Sequence, residues 1–145
     1  MSDSDQHDLQ RFVTAQSMDY EAALGELRRG RKRTHWIWYI FPQVAGLGYS
    51  HMAQKYAVQS KAEAIAYLEH GILGPRLHEC AAALLARRGT EITEIMGCPD
   101  DLKLWSSMTL FASVSDPGSV FHQMLEQFYG GGMDPKTLEF LDGNP

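Results

Sequence analysis

The segment LGPRLHECAAALLARRG, residues 73–89, decides the fold class of this chain. Its apolar side chains recur at the three- and four-residue spacing of one helix face. Pro75 suits the first helical turn, and a basic pair followed by Gly89 suits a helix end. The pattern therefore predicts an amphipathic helix over about residues 75–88. Its apolar face comprises Leu73, Leu77, Cys80, Ala81, Leu84 and Leu85.

Helical patterns also cover most of the chain on both sides of this segment. Apolar spacing predicts one amphipathic segment beginning at residues 9–13 and a second over residues 20–27. Ser60 and Glu63 form a capping-box pattern, which predicts a helix that ends before Gly71. Caps and glycines bound three further predicted helices, at about residues 99–114, 120–128 and 134–141.

The apolar run WIWYIF, residues 36–41, is the one strand-like signal, and Pro42 ends it. Periodicity cannot separate a buried strand from a buried helical turn in so short a run. Because no partner strand is visible elsewhere, a helical or irregular buried segment is favoured. The sequence thus predicts an all-α fold, a single compact domain of about seven to nine short helices over residues 8–142. A flexible N-terminus is expected at residues 1–7.

The composition is that of an ordinary soluble globular protein, with 44% hydrophobic and 21% charged residues. It excludes a disordered chain, and no apolar stretch approaches the roughly 18 residues of a membrane span. The acidic N-terminus lacks the regions of a signal peptide. Cys80 and Cys98 cannot form a disulfide framework, so we expect a cytoplasmic protein with reduced thiols and no membrane contact.

Metal and nucleophile motifs are weak in this sequence. His70, His78 and Cys80 lack the spacing of a zinc unit, and Cys98 has no second cysteine nearby. A serine nucleophile would be expected in a G-x-S-x-G turn, which the chain lacks. The sequence therefore predicts neither a metal site nor a cofactor.

Charge is unevenly distributed along the chain. Five of the 13 Lys and Arg side chains lie at residues 28–33, and the other 139 residues carry 8 basic and 18 acidic side chains. That acidic remainder would be repelled by a long phosphate backbone, so binding of extended nucleic acid is disfavoured. The basic cluster can still hold a single phosphate or small anion. It consists of Arg28, Arg29, Arg31, Lys32 and Arg33.

The basic cluster is followed closely by His35, Trp36 and Trp38. Cations, an imidazole and two indoles at such short spacing can hold a phosphate and stack a planar base. A plainer interpretation also applies, since cations near a helix end complement the helix dipole and line a solvated face. We expect at least one of the two indoles to belong to the core.

A polar stripe interrupts the otherwise apolar helix predicted at residues 99–114. Lys103, Ser106 and Ser107 fall at positions i, i+3 and i+4, and apolar side chains surround most of the remaining circumference. Helical serines can bond to a carbonyl of their own helix and need no other partner. A buried ammonium is different, because it needs a carboxylate, a phosphate or an exit to solvent. This stripe is the first-ranked candidate site, with a surface lysine reaching into solvent as the alternative.

The loop at residues 43–50 begins with Gln43 and carries Gly46 and Gly48 ahead of a helix predicted near His51. Glycines in such a place can let backbone N–H groups approach a phosphate. The third glycine of a dinucleotide fingerprint would fall at His51, and no βαβ pattern surrounds it. A plain turn is therefore favoured over a phosphate loop.

Four blocks of sequence resemble a bacterial family, number 1810 of the domains of unknown function. The blocks are DLQRFVTAQ (residues 8–16), HWIWYIFPQ (35–43), GLG (46–48) and DLKLWSSMTLF (101–111), and the resemblance spans about residues 8–141. It implies a small single-domain protein and no established activity. Members typically carry arginine where this chain has Trp105. If relatives bind an anion with that arginine, this chain is expected to bind it more weakly.

A more distant similarity is to the YbiA-like family of helical proteins, which resemble N-glycosidases. The family's helix pattern of His, Gln, Lys and an aromatic residue matches His51, Gln54, Lys55 and Tyr56. That similarity implies cleavage of N-glycosidic bonds in ribosylated or ADP-ribosylated small molecules. Ser50 stands where the family places an acidic residue.

Two functional hypotheses follow. The first is a small-molecule-binding domain or enzyme for a phosphorylated, nucleotide-like metabolite, with N-glycosidic bond hydrolysis as one version. The second is a non-catalytic module that binds an acidic protein segment through residues 28–33. Whether the protein is an enzyme is left open.

The first hypothesis names specific residues. In its hydrolytic version Asp101 activates water, while His35 or Lys103 steadies the leaving group. The candidate ligand-binding residues are Lys32, Arg33, Trp36, Trp38, Gln43, Ser106 and Ser107.

Overall fold

The computed structural model of the chain describes residues 5–145 and shows nine α-helices within them, joined by short loops. One residue pair, Val44 and Val58, forms an isolated parallel bridge, and no longer strand occurs in the described part of the chain. The predicted all-α fold with a single compact domain is confirmed. The helices are α1 Gln10–Arg29, α2 Ile37–Ile40, α3 His51–Lys55, α4 Lys61–Glu69, α5 Leu73–Leu85, α6 Ile92–Met96, α7 Asp100–Ser113, α8 Val120–Tyr129 and α9 Pro135–Gly143.

Helix α7 lies at the centre of the fold. It packs against α2, α4, α6, α8 and α9, while α5 packs against α1, α4 and α8. Residues 106–112 of α7 are all buried, which matches the apolar character predicted for most of its circumference. The core around it is rich in aromatic side chains, and its largest fully buried members are Trp36, Tyr67, Phe12, Phe41, Phe111 and Phe121.

The segment at residues 73–89 forms a helix at the predicted place. Helix α5 runs over Leu73–Leu85 and ends a few residues before the predicted limit of 88. Five residues of the predicted apolar face are buried, and Leu85 is half-buried. The Ser60 cap expected from sequence also forms, since the Ser60 hydroxyl accepts a hydrogen bond from the Glu63 amide at 3.1 Å. The Glu63 carboxylate, however, accepts a hydrogen bond from the Gln59 amide at 2.9 Å rather than from the Ser60 amide that a capping box would use.

Helix α1 is a single helix of 20 residues, although the sequence shows two apolar segments. The interruption coincides with Gln16, a polar residue in a core position that is only 1% exposed. Its amide nitrogen donates to the Tyr39 carbonyl at 2.8 Å and to the Tyr67 hydroxyl at 3.1 Å. These bonds satisfy the buried amide, so the helix continues where the apolar pattern breaks. Gly30 ends the helix with φ of 77°, a left-handed conformation that glycine adopts without strain.

The strand-like run at residues 36–41 contains the short buried helix α2. The preference for a helical or irregular segment is therefore confirmed. Helix α6 has no counterpart among the predicted elements, because five residues are too few for periodicity to register.

Both ends of the described chain make contacts. The Asp5 carboxylate accepts hydrogen bonds from the amides of Leu9 (2.6 Å) and Gln10 (3.2 Å), just where α1 begins. At the other end, the Asn144 carbonyl accepts a hydrogen bond from the Lys61 amide at 2.8 Å. Of the N-terminal segment expected to be flexible, residues 1–4 lie outside the described part. No helix in residues 5–145 has the length and apolar character needed to cross a membrane.

Candidate functional site

A pocket of about 530 Å³ opens beside the first half of α7, and we call it the Lys103 pocket. Its volume lies within the range of roughly 300–1,000 Å³ that small-ligand sites occupy. Three parts of the chain form it: the loop after α2, the N-terminal half of α7 and the start of α9. Its polar lining consists of Gln43, Lys103, Ser106, Asp134 and Lys136.

Trp105 supplies the aromatic surface of the Lys103 pocket. Its indole N–H donates to the Gly132 carbonyl at 2.8 Å, and its ring stacks on Tyr129 with centroids 6.3 Å apart. These two contacts fix the plane of the indole. The rest of the apolar lining consists of Leu47, Pro99, Leu102 and Pro135.

Two lysines line the Lys103 pocket. The Lys103 Nζ lies 3.8 Å from Asp100 Oδ1 and 5.6 Å from the centroid of the Trp38 ring, and the side chain is 31% exposed. Lys136 is exposed and takes part in no ion pair within residues 5–145. Lys136 is therefore available to bind an anion, and Lys103 is also available because its contact with Asp100 is longer than a hydrogen bond.

The carboxylate that lines this pocket, Asp134, is already hydrogen-bonded within the protein. It accepts hydrogen bonds from the hydroxyls of Ser106 and Thr137, each at 2.7 Å, and from the Lys136 amide at 3.1 Å. It thereby caps α9 and ties α9 to α7. With three donors on one buried carboxylate, the hydrogen-bonding capacity of Asp134 is largely used within the protein.

A second pocket of about 320 Å³ adjoins the first at Pro99, which lines both, and we call it the His35 pocket. Within it, Lys32 Nζ lies 2.8 Å from Asp100 Oδ2 and 4.8 Å from the centroid of the Trp36 ring. Arg33 and His35 are exposed there. The exposed thiol of Cys98 also lines this pocket.

Glu26 supports the loop that carries these residues. This buried carboxylate accepts hydrogen bonds from the Arg33 amide at 2.7 Å, from both the amide and the hydroxyl of Thr34, and from the Trp36 indole at 2.9 Å. Burial alone would raise the pKa of Glu26, but these bonds lower it to about 2. The Glu26 carboxylate therefore fixes the conformation of the loop at residues 33–36.

Comparison with family models matches residues 6–141 to a family described as a protein of unknown function, DUF1810. The chain belongs to DUF1810. Among solved structures, the conserved hypothetical protein Rv1873 from Mycobacterium tuberculosis is 52% identical to it, with a TM-score of 0.91. That match covers 93% of this chain and 96% of the mycobacterial one. A comparison with curated proteins gave no match.

The structure of this DUF1810 protein places six of the ten predicted site residues in the two pockets, three in each. Gln43, Lys103 and Ser106 meet in the Lys103 pocket. Lys32, Arg33 and His35 meet in the His35 pocket, so His35 and Lys103 line different pockets. Their roles in binding stay predictions.

Four other predicted site residues line neither pocket. Trp36 and Ser107 are buried in the core, at 1% and 0% exposure. Trp38 is half-buried beneath the Lys103 ammonium. The Asp101 carboxylate accepts a hydrogen bond from the Thr93 hydroxyl at 2.7 Å, which directs it towards α6.

Two residues of the Lys103 pocket, Asp134 and Lys136, carry no signal of a site in the sequence of this DUF1810 chain. In the sequence, Asp134 and Pro135 indicate only the start of a helix. Trp105 stood out only through the resemblance to the family. Within residues 5–145 no group of three or more His, Cys, Asp or Glu side chains is arranged to hold a metal ion.

Proposed function

We propose that this protein binds a phosphorylated, nucleotide-like small molecule in the Lys103 pocket. One observation carries the proposal: an oriented indole, Trp105, shares a pocket of about 530 Å³ with the ammonium groups of Lys103 and Lys136. An indole face stacks on planar bases, and lysine is a common phosphate ligand. A ligand with a flat ring and a phosphate matches both features.

The contacts of the acidic side chains favour binding over N-glycosidic bond hydrolysis. Hydrolysis needs a carboxylate or imidazole within reach of the attacking water. Asp134 is occupied by three donors, and Asp101 bonds to Thr93. His35 lies in the neighbouring pocket. The proposed function is therefore binding, with catalysis left open.

Calorimetric titration with adenosine monophosphate tests the proposal. We expect Lys103→Ala and Lys136→Ala each to weaken binding by about tenfold, since each removes one charged contact to the phosphate. Lys61→Ala is the matched control, because Lys61 is exposed on α4 outside both pockets and its loss changes the net charge equally. The control should bind like the unmodified protein.

A second titration separates the ring from the phosphate. Trp105→Ala should weaken binding of adenosine monophosphate and leave that of ribose 5-phosphate nearly unchanged, because only the former has a base to stack. Absence of binding by both compounds at millimolar concentration would overturn the proposal. Equal binding by the lysine variants and Lys61→Ala would place the ligand elsewhere.

Exposed arginines favour a second candidate function, recognition of an acidic protein segment. Arg28 pairs with Glu79 and Lys32 with Asp100, whereas Arg29, Arg31 and Arg33 are exposed and form no ion pair within the described residues. Three such cations attract acidic partners. A pull-down from lysate should lose its partner when these three arginines are replaced by alanine, and an unchanged pull-down would exclude this candidate.

We further propose a cytoplasmic location. Cys80 and Cys98 are both free thiols, a state typical of reducing compartments. Cell fractionation followed by immunoblotting tests this location, and recovery in an oxidising compartment would contradict it.

A further inference from the structure

The Lys103 pocket and the His35 pocket share one wall. Pro99 lines both pockets, and the Asp100 carboxylate next to it binds Lys32 at 2.8 Å with one oxygen and Lys103 at 3.8 Å with the other. The two ammonium groups therefore stand on either side of a single carboxylate. Pro99 and Asp100 therefore form the boundary between the two pockets.

The His35 pocket keeps cationic groups that are not neutralised within the protein. The Lys32 side chain is 6% exposed, and its ammonium group contacts the Asp100 carboxylate and the Thr34 carbonyl, the latter at 2.6 Å. Arg33 is exposed and forms no ion pair within residues 5–145, and His35 is exposed beside it. Asp100 is the one carboxylate lining this pocket, and it already binds two ammonium groups. An anion entering the pocket thus meets a free guanidinium and no free carboxylate.

We propose that the ligand is a nucleoside diphosphate, with its first phosphate at Lys103 and its second phosphate across Pro99 at Arg33 and His35. This inference rests on the proposed function, and it adds the class of ligand and the role of the second pocket. The base lies against Trp105, and the diphosphate passes Pro99 and the Asp100 carboxylate. Because both oxygens of Asp100 are bound to lysines, the carboxylate repels the diphosphate less than a free one would.

Cys98 provides a reporter for the second phosphate. Its thiol is exposed in the His35 pocket, whereas Cys80 is buried, and burial raises the pKa of Cys80 to about 12. Iodoacetamide, a small neutral reagent, should therefore alkylate Cys98 alone in the folded protein. We expect saturating adenosine diphosphate to slow this alkylation at least fivefold, and saturating adenosine monophosphate to slow it less than twofold.

Calorimetric titration provides a second test, a comparison of the affinities for the two nucleotides. Adenosine diphosphate should bind at least tenfold more tightly than the monophosphate, and Arg33→Ala should remove that advantage without changing affinity for the monophosphate. Arg29→Ala is the matched control, because Arg29 is also exposed in the basic cluster but lines neither pocket. It should leave the affinities for both nucleotides unchanged.

Failure of this inference can be distinguished from failure of the proposed function. Equal affinities for the two nucleotides, together with equal alkylation rates of Cys98, would overturn the diphosphate ligand and leave the Lys103 pocket intact. The inference would also be overturned if Arg29→Ala and Arg33→Ala both removed the tighter binding of adenosine diphosphate. The effect would then come from the net charge of the basic cluster and not from a contact with Arg33. If neither nucleotide binds, both proposals fail.

Discussion

Glu26 shows how one residue determines the shape of a pocket that it does not line. Its carboxylate gathers donors from Arg33, Thr34 and Trp36 beneath the loop of the His35 pocket. A neutral amide keeps the shape but loses the charge and one acceptor oxygen. We expect Glu26→Gln to lower the free energy of unfolding at pH 7 by about 2–3 kcal/mol. Urea denaturation followed by circular dichroism measures this change.

The contribution of Glu26 should also depend on pH. Its pKa in the folded protein is about 2, below the ordinary value of 4.5, so its stabilisation is present above pH 4.5 and is lost as the pH falls towards 2. The difference in unfolding free energy between the unmodified protein and Glu26→Gln should thus shrink by more than half at pH 3. A difference that stays constant between pH 7 and pH 3 would show that the carboxylate is not held in its charged form.

The two cysteines differ in environment, and their reactivity should differ accordingly. Cys98 is exposed, while Cys80 lies in the core with a pKa raised to about 12 by burial, so almost no Cys80 thiolate exists at pH 8. Titration with Ellman's reagent should detect one fast thiol in the folded protein and a second only in denaturant. Cys98→Ser should abolish the fast reaction, and two fast thiols in the folded protein would contradict the burial of Cys80.

At the scale of elements, the contact between α4 and α5 depends on Gly74. A Cβ atom at this position would lie 2.1 Å from the Leu68 carbonyl oxygen, a backbone atom that cannot move aside cheaply. We expect Gly74→Ala to lower the free energy of unfolding by about 2–3 kcal/mol. Gly71→Ala is the matched control, since Gly71 lies in the connection between α4 and α5 and a Cβ there meets no atom within 4 Å. It should change stability by less than about 1 kcal/mol, and equal effects of the two changes would refute the close approach.

Helices proved predictable wherever a local signal determined them. The face of α5, the Ser60 cap of α4 and the Asp134 start of α9 are properties of neighbouring residues, and each forms as expected. The continuity of α1 was not predictable, because the partners of Gln16 are 23 and 51 residues away. Periodicity registers the side chain's polarity but not the distant groups that satisfy it.

At the scale of the whole molecule, the candidate pocket combines residues that are far apart in the sequence. Lys103 and Ser106 could be paired from helical spacing alone. Gln43, which precedes α7, and Lys136, which follows it, reach the same pocket only through the packing of the loop and α9 on α7. The separation of His35 from Lys103 by Pro99 is likewise a product of tertiary packing. Sequence therefore predicted three of the five polar lining residues, but not their arrangement.

The central position of α7 predicts that the protein unfolds as one unit. Helices from both halves of the chain pack on α7, so neither half retains a hydrophobic core of its own once α7 is no longer packed against it. The tryptophans allow each half to be followed separately. Trp105→Phe leaves Trp36 and Trp38 as reporters of the N-terminal half, and the double variant Trp36→Phe/Trp38→Phe leaves Trp105 as the reporter of the C-terminal half.

In each variant, the urea midpoint from tryptophan fluorescence should equal that variant's own midpoint from far-ultraviolet circular dichroism. Comparison within a variant matters, because Trp36→Phe removes the indole donor to Glu26 and lowers the stability of the whole protein. That loss should shift both signals together, since Glu26 on α1 and α7 belong to one cooperative core. A fluorescence transition that precedes the loss of helix in one variant alone would mean that its half of the molecule unfolds independently.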